Sequence, residues 1–410
     1  MSLIADLKSL EPQQRSAIWA SYLGWTLDAF DYFLLTFMLG AIAKEFHTDV
    51  KAVTVAIMLT LAARPIGAFC FGWLAERFGR RPVLMADIIL FSIFEFASGF
   101  APSLTSLLVL RFLFGVAMGG EWGLGASLAM ESVPAKLRGP VSGLLQSGYP
   151  SGYFVASLVY FLLFDAIGWR GMFMVGVAPA LLVLLIRIHV KESPVFEEQR
   201  KARLNPVKEL LRYWKRALYM IVLMAAFNAF SHGTQDLYPT FLQQQHHFGT
   251  HLTGTLTAIM NVGAIVGGIG FGIWSERIGR KWAIIIACVL ALPVLPLWAF
   301  TATPLLLGLG AFLMQVAVQG AWGIVPVHLN ELSPPGARAL FPGFAYQLGN
   351  LIMSKNAVFQ AQIAESHGNN YGLALALFGG SMAVAIAVWT ALGPERAHAD
   401  FMADARTAHE

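Results

Sequence analysis

Long apolar stretches alternate with short polar ones along almost the whole chain. A helix needs about 20 mostly apolar residues to cross the roughly 30 Å of hydrocarbon in a bilayer. By this criterion the pattern predicts twelve membrane spans, and a longer polar stretch separates the first six from the last six. The spans are predicted at residues 17–43, 52–74, 82–100, 104–129, 139–163, 171–189, 217–243, 252–274, 282–301, 304–328, 337–362 and 371–392.

The composition favours an integral membrane protein. Of 410 residues, 57% are hydrophobic and 13% are charged, which is too little charge to cover the surface of a soluble protein. The net charge of +4 does not indicate nucleic-acid binding, because the aromatic residues lie in apolar runs and not between basic residues. Cys70 and Cys288 lie in apolar segments, so we predict packing residues and neither a disulfide nor a metal site.

Lysine and arginine are distributed unevenly between the two sets of loops. One set holds only Lys44, Lys51 and Arg170. The other set holds most of the basic residues. Because cytoplasmic loops carry an excess of lysine and arginine, we predict that this set and both termini lie in the cytoplasm. We expect a monomer in the plasma membrane, the inner membrane of a bacterium. The basic residues of the predicted cytoplasmic side are Arg77, Arg80, Arg81, Lys136, Arg138, Arg277, Arg280, Lys281, Arg338, and, in the linker, Lys191, Arg200, Lys201, Arg203, Lys208, Arg212, Lys215 and Arg216.

The two halves of the chain repeat each other about 200 residues apart. The sequence GWLAERFGRR at 72–81 matches GIWSERIGRK at 272–281, and GGEWGLGASLAMESVPAKLRG at 119–139 matches QGAWGIVPVHLNELSPPGARA at 319–339. A duplicated six-span unit is typical of transporters built from two parallel halves around a central path. The predicted units are an N-terminal half at 1–190, a cytoplasmic linker at 191–216, a C-terminal half at 217–393 and a cytoplasmic tail at 394–410.

The repeated loop, Gly-x-x-x-(Asp/Glu)-Arg-x-Gly-Arg-(Arg/Lys), resembles the signature of the major facilitator superfamily. The resemblance implies an all-α integral membrane protein with the major facilitator fold, in which 12 transmembrane helices form two six-helix pseudo-symmetric halves. The charges of the loop predict a cytoplasmic network that locks one conformation, whereas simple anchoring in the bilayer would not explain the acids. The predicted gating residues are Glu76, Arg77, Arg80, Glu131, Glu276, Arg277, Arg280 and Glu331.

Several ionisable side chains lie inside the predicted spans. Each charge in hydrocarbon costs about 2.5–3.5 kcal/mol or more, so such side chains usually face a cavity or a charged partner. The superfamily resemblance implies a proton-coupling pair of a first-span Asp and a fourth-span Arg, which match Asp31 and Arg111. A static buried ion pair is the alternative. An arginine favours the ionised carboxylate and burial favours the neutral one, so the balance can change with conformation. The residues that stand out are Asp28, Asp31, Arg64, Arg111, Glu121, His232, Asp236 and Lys355.

Arg64, next to Pro65 in the second span, is a candidate binding group for an anionic substrate. Its alternative role is pairing with Asp28 or Glu121. Asp28 shares a helical face with Asp31 and is a second candidate acid for the proton, or a helix-capping or inter-helix hydrogen-bonding group. Glu121 has Ala321 as its repeat equivalent, so the fold does not require its charge. Lys355 lies further outward, and its role is left open.

The stretch NAFSHGTQDLYPTF at 228–241 is unusually polar for a span. Asn228, His232 and Asp236 are spaced by four residues and Gln235 follows Asn228 by seven, so they share one stripe of a helix. The stripe predicts a face toward the cavity between the halves, although a cluster that only joins helices is the alternative. His232 and Asp236 can hydrogen-bond within the helix. Pro239 predicts a kink at the outer end.

The same stretch resembles the seventh-span signature of lactate/pyruvate:proton symporters of the fungal lactate-permease type, which belong with the sialate:proton symporters in one family. That family carries a Gln and an Asn three apart in span eleven, matched by Gln347 and Asn350, and an Arg in span two, matched by Arg64. The segments YLGWTLDAFDYF and GGEWGLGASLAMESVP equally resemble bacterial sialate permeases, which often carry two extra central spans that this chain lacks.

The resemblance implies a proton-coupled symporter of a small monocarboxylate, lactate- or pyruvate-like, working by alternating access. A sialic acid or another organic or aromatic acid is the alternative substrate. No nucleotide loop, metal-ligand spacing or nucleophile motif indicates an enzyme. We expect no cofactor beyond the proton as coupling ion, and only the small anion and the lipid bilayer as partners. The predicted substrate-binding residues are Arg64, Asn228, His232, Gln235, Gln347 and Asn350, and the predicted proton-coupling residues are Asp31, Arg111, Asp236, Asp28 and Glu121.

Overall fold

Helices make up nearly all of the computed structural model, which describes residues 3–188, 190–201 and 204–407. Arg203 and the last three residues of the predicted tail therefore lie outside the described residues. The N-terminal half contains α1 (Leu3–Lys8), α2 (Pro12–Glu45), α3 (Val50–Phe78), α4 (Arg80–Ser98), α5 (Leu104–Met118), α6 (Glu121–Ser132), α7 (Arg138–Gln146) and α8 (Gly148–Ile188). The rest contains α9 (Pro194–Lys201), α10 (Pro206–Arg212), α11 (Trp214–Gln235), α12 (Tyr238–Gln244), α13 (Thr250–Ile278), α14 (Arg280–Ala299), α15 (Pro304–Leu332), α16 (Leu340–Ile352), α17 (Asn356–Ser366), α18 (Tyr371–Leu392) and α19 (Phe401–Thr407).

The sequence repeat is visible in the helices. α3 and α13 each have 29 residues and end one residue before a glycine that opens the next helix. Gly79 has φ of +108° and Gly279 has φ of +86°, a conformation that favours glycine because it has no Cβ. The chain therefore reverses in the same way at both copies of the repeated loop.

Nine helical segments among the described residues are long and apolar enough to cross a membrane. The predicted third span is not one of them, because α4 carries Arg80, Arg81, Asp87 and Glu95 within 19 residues. The predicted fifth span begins in α7 and continues in α8, which also contains most of the sixth, and the backbone of α8 leaves the helical conformation at Gly168, where φ is +61°. This position falls between the two predicted spans.

Four predicted spans are each divided between two helices, which corrects their prediction as single helices. The fourth passes from α5 to α6 through Gly119 and Gly120, just before Glu121. The fifth passes from α7 to α8 through Ser147. The seventh is divided after Asp236, because Pro239 lacks an N–H and starts the short helix α12. The eleventh is divided between α16 and α17, next to Lys355. Three of the four divisions thus lie beside an ionisable residue that the sequence had marked.

The halves pack most closely at the end of the bundle where the two chain termini lie. There α7 packs on α13 and α3 packs on α16. A methyl group on Gly143 would overlap with the carbonyl oxygen of Gly268, so position 143 has no room for a side chain. Ser142 Oγ donates to the carbonyl oxygen of Gly323 at 2.6 Å and accepts from the N–H of Val327 at 3.1 Å. This end, called the gate end below, is closed.

Candidate functional site: a central polar site and a gate

The repeated loops place one buried arginine in each half at the gate end. Arg80 lies 3.0 Å from Glu76 and 3.0 Å from Glu131. In the repeat, Arg280 lies 2.9 Å from Glu276 and 3.0 Å from Glu331. Each arginine thus neutralises part of the charge of two acids in its own half, as the charge pattern predicted for these six residues.

The prediction is wrong for the other two arginines. Arg77 and Arg277 are exposed, and Arg77 packs over the ring of Trp73 at 5.7 Å. They follow the acids directly in sequence, so on a helix they point about 100° away from them. Their position at the surface fits anchoring better than gating.

The gate acids also join the two halves. Glu76 Oε1 accepts a hydrogen bond of 2.5 Å from the N–H of Ala339 at the start of α16. Glu276 Oε1 accepts one of 2.5 Å from the N–H of Gly139 in the first turn of α7. The exposed N–H groups of a helix start favour a negative charge. Each acid therefore binds an arginine of its own half and a helix start of the other half.

Arg64, in the middle of α3, is paired. Its Nη2 lies 2.5 Å from Asp28 Oδ1, and its Nη1 donates to Asp28 Oδ2 at 3.3 Å. The pairing with Asp28, given above as the alternative, is therefore present, and binding of an anionic substrate by Arg64 stays a prediction. Glu121 is buried within electrostatic range of Asp28. Among the described residues, Arg64 Nε–H has no acceptor.

Arg111 is also paired, but not with the predicted residue. Its Nη2 lies 2.5 Å from Glu95 Oε2, and its guanidinium lies 3.8 Å from the ring centroid of Phe114. Asp31 is buried beside this pair, and neither of its oxygens accepts a hydrogen bond from any described residue. Glu95 was missed from the sequence, although it carries the same signal as the others, a single acid in the apolar run IFEFASGF.

The polar stripe of the seventh span faces the space between the halves. His232 Nδ1 lies 3.3 Å from Asp236 Oδ1, and the two side chains are 37% and 43% exposed. Even so, His232 is within electrostatic range of Arg64, and Asp236 of Tyr32, both in the other half. Their exposed surface therefore belongs to an opening inside the bundle.

Asn228 and Gln235 make other contacts within the same stripe. Asn228 is buried, and its Nδ2 donates to the carbonyl oxygen of Met224 at 2.9 Å, so it does not face the opening. Gln235 Nε2 donates to Gln315 Oε1 of α15 at 3.0 Å. Gln319 of α15 donates to Ser231 Oγ at 3.0 Å. The two α15 glutamines were missed, although their spacing of four in QVAVQG indicates one polar helix face.

The eleventh-span residues lie close to Arg64. Asn350 Nδ2 donates to Gln347 Oε1 at 3.2 Å, and its side chain also hydrogen-bonds with Tyr346, which is within electrostatic range of Arg64. Gln347 is buried, and its Nε2 has no acceptor in the described part of the chain. Lys355, in contrast, is exposed at the break between α16 and α17.

An aromatic floor lies on the gate side of the Asp28–Arg64 pair; it consists of Trp25, Trp122, Tyr149 and Tyr346. Trp25, about one turn before Asp28, stacks on Tyr149 with centroids 5.7 Å apart, and Trp122 lies 4.6 Å from Tyr346. Trp25, Trp122 and Tyr346 are buried. The floor therefore separates the central polar groups from the gate end.

The central charges are not repeated in the second half. The positions about 200 residues after Asp28, Arg64 and Arg111 hold Asn228, Ala264 and Ala311. The gate acids and arginines, in contrast, occur in both halves. Among the described residues, the buried ion pairs in the middle of the bundle lie in the N-terminal half.

Comparisons with known proteins show the family of the chain. A family model described as Major Facilitator Superfamily matches residues 21–354. The probable 4-methylmuconolactone transporter of Cupriavidus pinatubonensis is 32% identical over 87% of this chain and 85% of that protein. Sialic acid transporter NanX of Escherichia coli is 30% identical over 90% of this chain and 91% of that protein. The carboxylic acid transporter protein homolog of Saccharomyces cerevisiae is 27% identical over 97% of this chain and 71% of that protein.

The fold has a counterpart among solved structures. The proton:xylose symporter XylE, bound to 6-bromo-6-deoxy-D-glucose, superposes with a TM-score of 0.79 at 19% identity, over 97% of this chain and 99% of that chain. This likeness confirms the predicted all-helical fold. The protein belongs to the major facilitator superfamily and is a multi-pass membrane transporter, not an enzyme.

Proposed function

We propose that the protein is a proton-coupled symporter of a small monocarboxylate of the lactate or pyruvate type. It acts in the plasma membrane as a monomer with both termini in the cytoplasm. The observation that carries this proposal is Arg64, a buried guanidinium beside the opening between the halves, whose Nε–H has no acceptor among the described residues. A substrate carboxylate supplies such an acceptor and a second negative charge for the cation.

The charges around Arg64 explain why a proton accompanies the anion. Arg64 is paired with Asp28 at 2.5 Å, so the charges of these two groups balance. A bound anion adds a negative charge that this pair does not neutralise. In a buried site of low dielectric constant, this repulsion is costly unless an acid takes up a proton. Anion and proton therefore enter together.

The second half supplies the remaining contacts with the substrate. His232 lies within electrostatic range of Arg64, and Asn350 hydrogen-bonds with Tyr346, which is also within that range. In this proposal these two side chains and Gln347 Nε2, which has no acceptor among the described residues, donate hydrogen bonds to the carboxylate or to a neighbouring oxygen. Because these donors and Arg64 belong to different halves, a bound substrate joins the halves. Transport then requires the gate acids Glu76 and Glu276 to release Ala339 and Gly139, which opens the gate end.

A larger or flatter acid is the second candidate substrate. Tyr346 of the aromatic floor lies within electrostatic range of Arg64, which suits a conjugated or aromatic carboxylate. Two relatives are named for transport of 4-methylmuconolactone and sialic acid. Both candidate substrates bind Arg64 through a carboxylate, and they differ in the part of the molecule that packs against the aromatic floor.

Uptake into proteoliposomes tests the proposal. The purified protein is reconstituted, a pH gradient is imposed, and accumulation of lactate, pyruvate, sialic acid and benzoate is compared. We expect accumulation of a monocarboxylate that a protonophore abolishes. Preference for benzoate or sialic acid over lactate would select the second candidate. Equal uptake with and without the gradient, or uptake of a neutral sugar instead, would contradict the proposal.

A further inference from the structure

A chain of hydrogen-bonded amides and hydroxyls joins α11 to α15 beside the opening. Gln315 and Gln319 of α15 are buried, and their neighbours in LMQVAVQGAW are apolar. A buried amide is unfavourable unless it is hydrogen-bonded. The positions 200 residues earlier hold Gly115 and Gly119, where a side chain would overlap with the backbone of α3. The repeated fold therefore does not require the two glutamines.

The directions of the hydrogen bonds follow from one backbone carbonyl. Thr234 Oγ1 donates to the carbonyl oxygen of Phe230 at 2.9 Å, so it accepts from Gln315 Nε2 at 3.1 Å. Gln315 Oε1 then accepts from Gln235 Nε2 at 3.0 Å, and the same Nε2 donates to Ser231 Oγ at 3.1 Å. The amide of Gln235 is thereby oriented, with its nitrogen inside the network and its oxygen on the other side.

Ser231 has one hydrogen-bonding capacity left. Its Oγ accepts from Gln235 Nε2 and, at 3.0 Å, from Gln319 Nε2, which fills both lone pairs. Its O–H donates to no described residue, and no described residue donates to the Oε1 atoms of Gln235 and Gln319. Exchange of nitrogen and oxygen in the Gln319 amide would still leave one free donor and one free acceptor. The network thus presents both kinds of group side by side.

We propose that the free groups of this network form a hydroxyl-binding subsite near Arg64, which selects hydroxy acids over the corresponding oxo and unsubstituted acids. The inference rests on the proposed function and narrows its substrate class. Ser231 and Gln235 are half-buried in the stripe that faces the opening. His232, the residue after Ser231, is within electrostatic range of Arg64. A carboxylate bound to Arg64 therefore places the rest of a small acid next to the subsite.

A hydroxyl group matches the subsite because it both accepts and donates. It accepts from Ser231 O–H and donates to Oε1 of Gln235 or Gln319, so a free donor and a free acceptor each gain a partner. An oxo group can accept from Ser231 but has no proton for the amide oxygens, and a methylene group offers neither. The polar groups then lose water without gaining a partner, which weakens binding. Gln315 is a positioning residue, because it acts only by holding the amide of Gln235.

Binding to the purified protein in detergent, without a proton gradient, tests the subsite. Lactate, pyruvate and propionate share one carbon skeleton and differ in a hydroxyl, oxo or methylene group, and mandelate and phenylacetate form the matching aromatic pair. We expect the hydroxy acid to bind at least about ten-fold more tightly than the unsubstituted acid, with pyruvate in between. Equal affinities within both series, or binding of no member of either, overturn the proposal. This order of affinities without proton-driven accumulation contradicts the proposed function and leaves the subsite intact.

Substitutions separate the subsite from a merely structural role. Gln319→Leu removes one free acceptor, so we expect the preference for the hydroxy acid to fall about five-fold or more while affinity for the unsubstituted acid stays unchanged. Gln315→Met releases Gln235, and we expect KM for uptake of the hydroxy acid to rise with kcat unchanged. Gln360→Met is the matched control, because Gln360 of α17 is also buried and donates to a backbone carbonyl of α11 but lies outside the network. A preference that survives Gln319→Leu, or that Gln360→Met lowers equally, contradicts the proposal.

Discussion

Glu76 in the first half accepts a hydrogen bond from the backbone N–H of Ala339 in the second half, at 2.5 Å. The repeat makes the reciprocal bond, from Gly139 N–H to Glu276, also at 2.5 Å. The same two acids hold the buried arginines Arg80 and Arg280. Loss of one acid therefore weakens both the charge network of one half and its contact with the other half.

Glu76→Ala should open the gate end. The substitution removes the acceptor for Ala339 N–H and one of the two acids of Arg80, so the closed conformation loses stability relative to the open one. Ser142 of α7 is buried against α15, so a cysteine at this position reports the opening of the gate end. The reporter is made in a Cys70→Ser background, because Cys70 is exposed and would also react, whereas Cys288 is buried. We expect Ser142→Cys to react several-fold faster with a thiol reagent in the Glu76→Ala protein.

Arg77→Ala is the matched control for this measurement. Arg77 is the next residue along the chain but is exposed, so the reaction rate of Ser142→Cys should stay unchanged. An equal rise in both variants would show that any change in this loop loosens the gate end and that Glu76 has no special role.

Gly272→Ala should impair closure of the gate end. A methyl group on Gly272 of α13 would lie 2.6 Å from the carbonyl oxygen of Gly139 and 3.1 Å from the Cα of Gly143, both on α7, so it forces the helices apart. We expect a lower rate of transport and faster labelling of Ser142→Cys. Gly270→Ala on the same helix is the control, since nothing lies within 4 Å of its Cβ position. Similar rates of transport and of Ser142→Cys labelling in the two variants would show that close packing of these helices does not keep the gate end closed.

Arg64→Lys should raise KM for the carboxylate substrate by about ten-fold or more. Lysine keeps the charge but lacks the planar fork that can bind Asp28 and the substrate together. Initial rates of uptake over a range of substrate concentrations measure the change, and Arg77→Lys serves as a control outside the site. An unchanged KM would remove Arg64 from the substrate-binding residues.

Asp28→Leu should destabilise the protein by about 3–5 kcal/mol, because it leaves the buried charge of Arg64 without its partner. The double variant Asp28→Leu/Arg64→Met should regain most of the loss, since it removes both charges. Thermal unfolding in detergent, followed by loss of the soluble monomer, compares the three proteins. A double variant as unstable as the single one would mean that packing, and not the uncompensated charge, causes the effect.

The fold and the gate were predictable because their signals are local or repeated. Span length follows from bilayer thickness, and the two copies of the loop fix which acids and arginines correspond. The helix breaks before Glu121 and at Lys355 were not predicted, since hydropathy alone does not register one or two residues of irregular backbone. Only the seventh-span break had a clear signal, Pro239.

The ion pairs were harder to predict, because partners in a helical bundle depend on which helix faces lie together. The sequence analysis singled out Asp31 and Arg111 but not Glu95. It therefore paired Arg111 with Asp31 and overlooked Glu95, which is the partner of Arg111 in the structure. The alternatives for Arg64 were Asp28 and Glu121, and the structure shows the pairing with Asp28, at 2.5 Å. Sequence thus identified most participants, whereas the three-dimensional packing assigned their partners.

The uneven distribution of central charges between the repeated halves has an evolutionary consequence. The first half keeps Asp28, Arg64 and Arg111, and the second half holds Asn228, Ala264 and Ala311 at the equivalent positions. After the duplication, the copies were free to specialise: substitutions along α11, α15 and α16 can reshape the second half without touching Asp28, Arg64 or Arg111. Chimaeras that exchange the second half should therefore keep the central ion pairs of the first half and differ in the groups that face them.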